Sequence, residues 1–311
     1  CIGPSETFTI TVNPTGQVDD PQDQVLCNND DAIVEFTTDN TGGTTVYGWS
    51  SDLDIGFGTA GQGNINSTAV NTGTSPITAT ITVTPSFEGC IGPSETFTIT
   101  VNPTGQVDDP QDQVLCNNDT TLPVTFTTDN TGGVTTYAWT NDTPGIGLAA
   151  SGDGDIDAFV AVNTGTSPVT ATITVVPTFT NQDVSCIGPS ETFTITVNPT
   201  GQVDDPQDQV LCNNDTTLPV TFTTDNTGGV TTYAWTNDTP GIGLAASGDG
   251  DIDAFVAVNT GTSPVTATIT VVPTFTNQDV SCIGPSETFT ITVNPTGQVD
   301  DPQDQVLCNN D

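Results

Sequence analysis

Short stretches in which apolar and polar residues alternate recur along the whole chain, separated by clusters rich in Asn, Gly, Pro and Asp. In Thr192-Phe193-Thr194-Ile195-Thr196-Val197 the apolar side chains fall on one face and the threonines on the other. A period of two is that of a strand with one buried and one wet side. Residues 170–175 repeat the pattern, and no helical period competes with it. In one unit of the chain the alternation predicts seven strands, at 113–116, 122–128, 135–140, 146–150, 158–163, 169–176 and 191–197. The intervening 129–133 and 163–168 carry the Asn, Gly and Pro that tight connections need. Two sheets packed around Trp139 and Phe126 are the expected result, an all-β antiparallel sandwich of the immunoglobulin-like kind.

The pattern repeats because the sequence does. A 30-residue string that opens Cys-Ile-Gly-Pro-Ser-Glu-Thr-Phe and closes Val-Leu-Cys-Asn-Asn-Asp starts at Cys1, Cys90, Cys186 and Cys282, in four identical copies. The blocks after Cys116 and Cys212 also match residue for residue, and the block after Cys27 is a diverged relative. A period near 90 residues suits one small domain per repeat rather than a solenoid turn. Each period holds one Tyr-x-Trp, at Tyr47/Trp49, Tyr137/Trp139 and Tyr233/Trp235. The expected division is 1–16 as the last strand of a preceding repeat, 17–105, 106–201 and 202–297 as three sandwiches, and 298–311 as the start of another. Ends that fall inside repeats suggest an excerpt of a longer array. Verbatim repetition also argues against a unique active site.

Charge narrows the function. The 311 residues include 38 Asp plus Glu and no Lys, Arg or His, a formal net charge of −38. Without a cation no phosphate clamp can be built, so nucleic acid is excluded as a partner and an anionic membrane surface is repelled. Ser-His-Asp, Cys-His and lysine-based nucleophiles are likewise impossible, and Glu occurs only at strand edges, as at Glu95 and Glu191, so no catalyst is expected. No apolar run approaches the roughly 20 residues of a membrane span, and nothing at the N-terminus has the form of a signal peptide.

The run Tyr137-Ala-Trp139-Thr-Asn-Asp, then Ile146-Gly-Leu-Ala-Ala-Ser-Gly, Pro168-Val-Thr-Ala-Thr-Ile-Thr-Val, Cys186 and Thr192-Phe-Thr-Ile-Thr-Val-Asn-Pro resembles the PKD-like repeats of large Bacteroidota surface and adhesin proteins. The resemblance covers essentially the whole chain. It implies tandem immunoglobulin-like spacers in a secreted or cell-surface protein, of the sort exported by a type IX pathway. The Trp-Asp-Phe-Gly-Asp-Gly loop of the better-known PKD pattern is missing, so nothing tied to that loop carries over.

Eight cysteines, with no His and no Cys-x-x-Cys, indicate disulfides in an oxidising compartment rather than zinc. Periodicity leaves two simple pairings. One crosses the 26-residue gap, Cys1 with Cys27 and onwards. The other joins Cys27 with Cys90, Cys116 with Cys186 and Cys212 with Cys282, each inside one sandwich, and this is the arrangement the PKD-like resemblance implies.

Two acidic clusters offer hard oxygen ligands of the kind calcium takes. The first is Asp153, Asp155 and Asp157, repeated as Asp249, Asp251 and Asp253 and replaced by Gln62, Asn64 and Asn66 in the first repeat. The second is the boundary run Asp19, Asp20, Asp23, then Asp108, Asp109, Asp112, then Asp204, Asp205, Asp208, where a shared cation would stiffen the joint. Calcium is thus the one cofactor expected, as a stiffener rather than a requirement. Asp119-Thr120-Thr121 and Asp215-Thr216-Thr217 have the form of Bacteroidota O-glycosylation signals, with Thr120 and Thr216 as carriers. The expectation that gathers these readings is a non-catalytic shaft or filament whose partner is itself, end to end. Its rival is an adhesive, glycan-binding module, which needs an exposed Trp139.

Overall fold

The computed structural model describes residues 2–306. Its strands form three like sheets and one small ribbon. The first sheet and the ribbon are built from β1 (Gln24–Cys27), β2 (Asp31–Val34), β3 (Thr45–Ser51), β4 (Ala60–Gln62), β5 (Ile65–Thr68), β6 (Ile77–Phe87), β7 (Cys90–Ile91) and β8 (Glu95–Asn102). The second holds β9 (Gln113–Cys116), β10 (Val134–Asn141), β11 (Ser151–Asp153), β12 (Val169–Asn181), β13 (Val184–Ile187) and β14 (Glu191–Asn198). The third repeats this with β15 (Gln209–Cys212), β16 (Val230–Asn237), β17 (Ser247–Asp249), β18 (Val265–Asn277), β19 (Val280–Ile283) and β20 (Glu287–Asn294).

Within the second sheet the order is β11-β10-β12-β14-β9, with β13 returning as a hairpin on β12. The pairs are antiparallel except β14 with β9, which run in the same direction. Along β12 and β14, Ala171, Ile173 and Val175 face inward beside Phe193, Ile195 and Val197, all buried, while the intervening threonines point to the opposite face of the sheet, where Thr196 too is buried. Trp139, on β10 of the same sheet, joins this inner face, and Phe126, Ile146 and Ile156 close the core from the other layer. That layer is thin: Val124 and Ile156 meet at a single bridge, as do Thr120 and Val160. In the first repeat the same positions make a true ribbon, β2 with β5. Each unit is an immunoglobulin-like β-sandwich.

Three expected strands are corrected. Residues 146–150 begin in a 3-10 turn, Pro144–Ile146, and Gly147 follows with a left-handed φ of 100°. Segments 122–128 and 158–163 take part in isolated bridges only, Val124 with Ile156 and Val160 with Thr120, and Pro123, between Thr120 and Val124, has no N–H to donate. The expected strand at 1–16 is also absent among the described residues, and Phe8, Ile10 and Val12 are exposed. Its counterparts β8, β14 and β20 have identical sequence but each has a neighbour to pair with.

Candidate functional site at the repeat junctions

Each sandwich has two poles. Cys116 pairs with Asn198 at the far end of β14, beside the turn at 163–168, and this is the C-terminal pole of repeat 2. Cys186 pairs with Phe179 near the tip of the β12–β13 hairpin, at the N-terminal pole. β12 separates the poles with 13 residues, about 40 Å at strand rise. The expected pairing inside one sandwich is therefore corrected, since a disulfide needs Cα atoms within about 7 Å.

The bridges join neighbours instead. Cys27 of repeat 1 is bonded to Cys186 of repeat 2, and Cys116 of repeat 2 to Cys282 of repeat 3, each with Cα atoms 5.5 Å apart. Among the described residues Cys90 and Cys212 are free. They occupy the places of the bonded Cys186 and Cys116 at the two outer poles. Cys1 and Cys308 lie outside the described residues.

Around each bridge the junction is hydrogen-bonded. Asn181 donates to Asn102 Oδ1 at 2.9 Å while Asn102 donates to the Asn181 carbonyl at 3.2 Å. Asn198 and Asn277 repeat the pair at the next junction. Asn102 and Asn198 are fully buried, whereas Asn294, with no described repeat beyond it, is half-buried. The Thr131 N–H donates to the Thr74 carbonyl across the first junction and Thr227 to Thr166 across the second. Gly105 lies so close to Cys186 and Gly188 that a Cβ on Gly188 would sit 1.7 Å from the Gly105 carbonyl oxygen, so only glycine fits where the connecting segment passes the hairpin.

The acidic residues do other work. Asp108 Oδ2 accepts from Thr127 and Asp112 Oδ1 from the Thr194 N–H; Asp19 with Thr37, Asp23 with Thr98, Asp204 with Thr223 and Asp208 with Thr290 do the same. Every one of these bonds lies within a single repeat. The run therefore fastens the entering segment to the flank of its own sandwich, away from the junction. Asp20, Asp109 and Asp205 have exposed side chains. In the other cluster Asp155 accepts from the Phe126 N–H and Asp251 from the Phe222 N–H, each at 3.0 Å. Asn64 accepts from Phe36 at the same distance in repeat 1. Asp153, Asp157, Asp249 and Asp253 are exposed. Among the described residues no three metal-ligating side chains converge.

Thr120 and Thr216 are exposed, on the thin layer of their sandwiches. Trp139 and Trp235 are buried, Gly152 and Gly248 lying against their rings, and their indole nitrogens have no partner. No helix among the described residues is long and apolar enough to cross a membrane.

No family model matches the chain, and no curated protein matches it. Solved structures that are similar include the titin I9 to I11 tandem, at 13% identity over 90% of this chain and 99% of that one, TM-score 0.31. Mouse cadherin-23 EC22-24 is similar at 14% identity over 91% and 99%, TM-score 0.37. Mouse protocadherin-24 EC1-3 is similar at 14% over 94% and 100%, TM-score 0.34. The fold assignment rests on the sheets described above.

Proposed function

We propose that the chain is a structural, non-catalytic length of an extracellular shaft, belonging to a surface adhesin or a self-assembled filament, in which sandwiches are fixed end to end. The observation that carries this reading is the junction itself, built twice from the same residues: a disulfide, an asparagine pair with Asn102 or Asn198 fully buried, and a backbone hydrogen bond from Thr131 or Thr227 to the preceding repeat. Freely jointed repeats need none of these. Disulfides between repeats also fit an oxidising, extracellular location. An adhesive, stacking role for Trp139 is disfavoured by its burial, since only 7% of its surface is exposed.

Small-angle scattering of the 311-residue chain tests the proposal. A rod of three sandwiches, each about 40 Å tall from the strand rise, is expected when oxidised. A profile of independently tumbling beads under the same conditions rejects it.

A further inference from the structure

The chain holds four identical strings. The second and third run from a cysteine at the N-terminal pole of one repeat to a cysteine at the C-terminal pole of the next. Two are complete within the described residues, from Cys90 to Cys116 and from Cys186 to Cys212. Neither contains a turn, a bend or a positive φ, and in both the strands are joined by segments of irregular backbone. Fully extended at strand rise, the 26 steps from Cys186 to Cys212 would measure about 86 Å, against about 80 Å for two stacked repeats of about 40 Å each, which leaves the segment little slack.

Consecutive strings lie side by side. In repeat 2 the end of one, β9, pairs in parallel with the start of the next, β14, in the register Ile195 with Gln113 through Asn198 with Cys116. The two bridges join alternate strings. Cys27, which ends the first, is bonded to Cys186, which begins the third; Cys116, which ends the second, is bonded to Cys282, which begins the fourth.

We propose that these strings are tension-bearing ties, linked through disulfides into two parallel covalent cables, and that the lobes 28–89, 117–185 and 213–281 hang outside the load path. The inference rests on the shaft reading and gives it a mechanical task. A chain of ordinary sandwiches lengthens under force as each one unfolds. Here the bridge at Cys27–Cys186 short-circuits a separation of 159 residues, and the tie that continues from it has almost no slack. The free Cys90 and Cys212 are the next anchor points of the two cables, each at the pole where the pattern places a bond.

The test is single-molecule pulling of the whole chain, held by bio-orthogonal handles installed at the exposed Gln22 and Val210. With the bridges intact the path between the handles is about 30 residues, roughly 100 Å. The extension is expected to reach that limit without an unfolding step. After reduction of both bridges, unfolding steps should release the 159 bypassed residues, roughly 550 Å; in Cys27→Ser, where Cys116–Cys282 still shunts part of the path, the release should be smaller, roughly 480 Å. A release of either size from molecules whose peptide map retains Cys27–Cys186 overturns the proposal. So does an oxidised molecule that doubles its length before reaching the limit, because its tie is then slack. Neither result alters the scattering profile of the resting rod, so failure of the cable is distinguishable from failure of the shaft.

Discussion

Position 155 and its equivalents show what an acidic residue does besides carry charge. A carboxylate three times over in a glycine-rich loop has the look of a calcium ligand, yet Asp155 spends an oxygen on the Phe126 N–H, and Asn64 does the same for Phe36. The acceptor is what the site uses, and an amide supplies it. Asp155→Asn is therefore expected to change stability by no more than about 0.5 kcal/mol, whereas Asp155→Ala leaves the Phe126 N–H unpaired and costs about 1–2 kcal/mol in denaturant titrations. Asp142 and Asp238 differ in that their charge is used. The Thr172 N–H and Thr143 hydroxyl hold Asp142 below the ordinary value of 3.8, and Thr268 with Thr239 do so for Asp238. A folded-state value below the unfolded one gives stabilisation that is complete above 3.8 and is lost as pH falls through the folded value. Wild type should thus exceed Asp142→Asn in melting temperature at neutral pH, and that advantage should vanish in acid. An advantage that persists unchanged in acid assigns the effect to packing.

At the scale of the element, the octapeptide Glu-Thr-Phe-Thr-Ile-Thr-Val-Asn occurs four times, and three copies are strands. The copy at 6–13 is not, and Phe8 is 85% exposed where Phe193 and Phe289 are 2% exposed. Pattern alone specifies which face will be buried, and a partner strand decides whether it is. This explains what was legible. The strongly alternating segments 113–116, 135–140, 169–176 and 191–197 were readable because their periodicity reports a two-sided environment. The segments 122–128 and 158–163 were not, since around Pro123, in a stretch one residue longer than its counterpart, the ladder that repeat 1 builds as β2 and β5 shrinks to isolated bridges. Truncation after Ser286 should remove β20 and the burial of Phe289, Ile291 and Val293, about 1.5–3 kcal/mol each, comparable to a domain's whole stability. Repeat 3 is expected to lose hydrogen-exchange protection in that variant while repeat 1 keeps its own. A synthetic peptide of the octapeptide sequence should restore protection. Full protection without peptide contradicts the role given to β20.

For the molecule as a whole, the disulfide pairing was beyond sequence reading for a geometric reason. Periodicity puts cysteines at two phases of the repeat, but only the fold shows that these phases are opposite poles, so that a bond must reach the neighbour. Charge was legible in amount, and its consequence emerges at this scale. With a formal net charge of −38 and no side-chain cation, neighbouring sandwiches repel one another along the rod. The repulsion reaches across about 30 Å at 0.01 M salt and about 10 Å at 0.1 M, so lowering the salt couples each repeat to the next. Two covalent bonds oppose that separation in the oxidised chain. After reduction only the asparagine pairs and backbone contacts do, at about 1 kcal/mol per hydrogen bond. Melting temperature should therefore fall as salt is withdrawn, and fall further in the reduced protein, with junctions opening before the sandwiches melt. Scattering should show the reduced rod losing its straightness at low salt and the oxidised rod keeping it. If both redox states respond to salt alike, the bridges do not hold the joints against the charge, and the rigidity of the shaft must be assigned to packing at the poles alone.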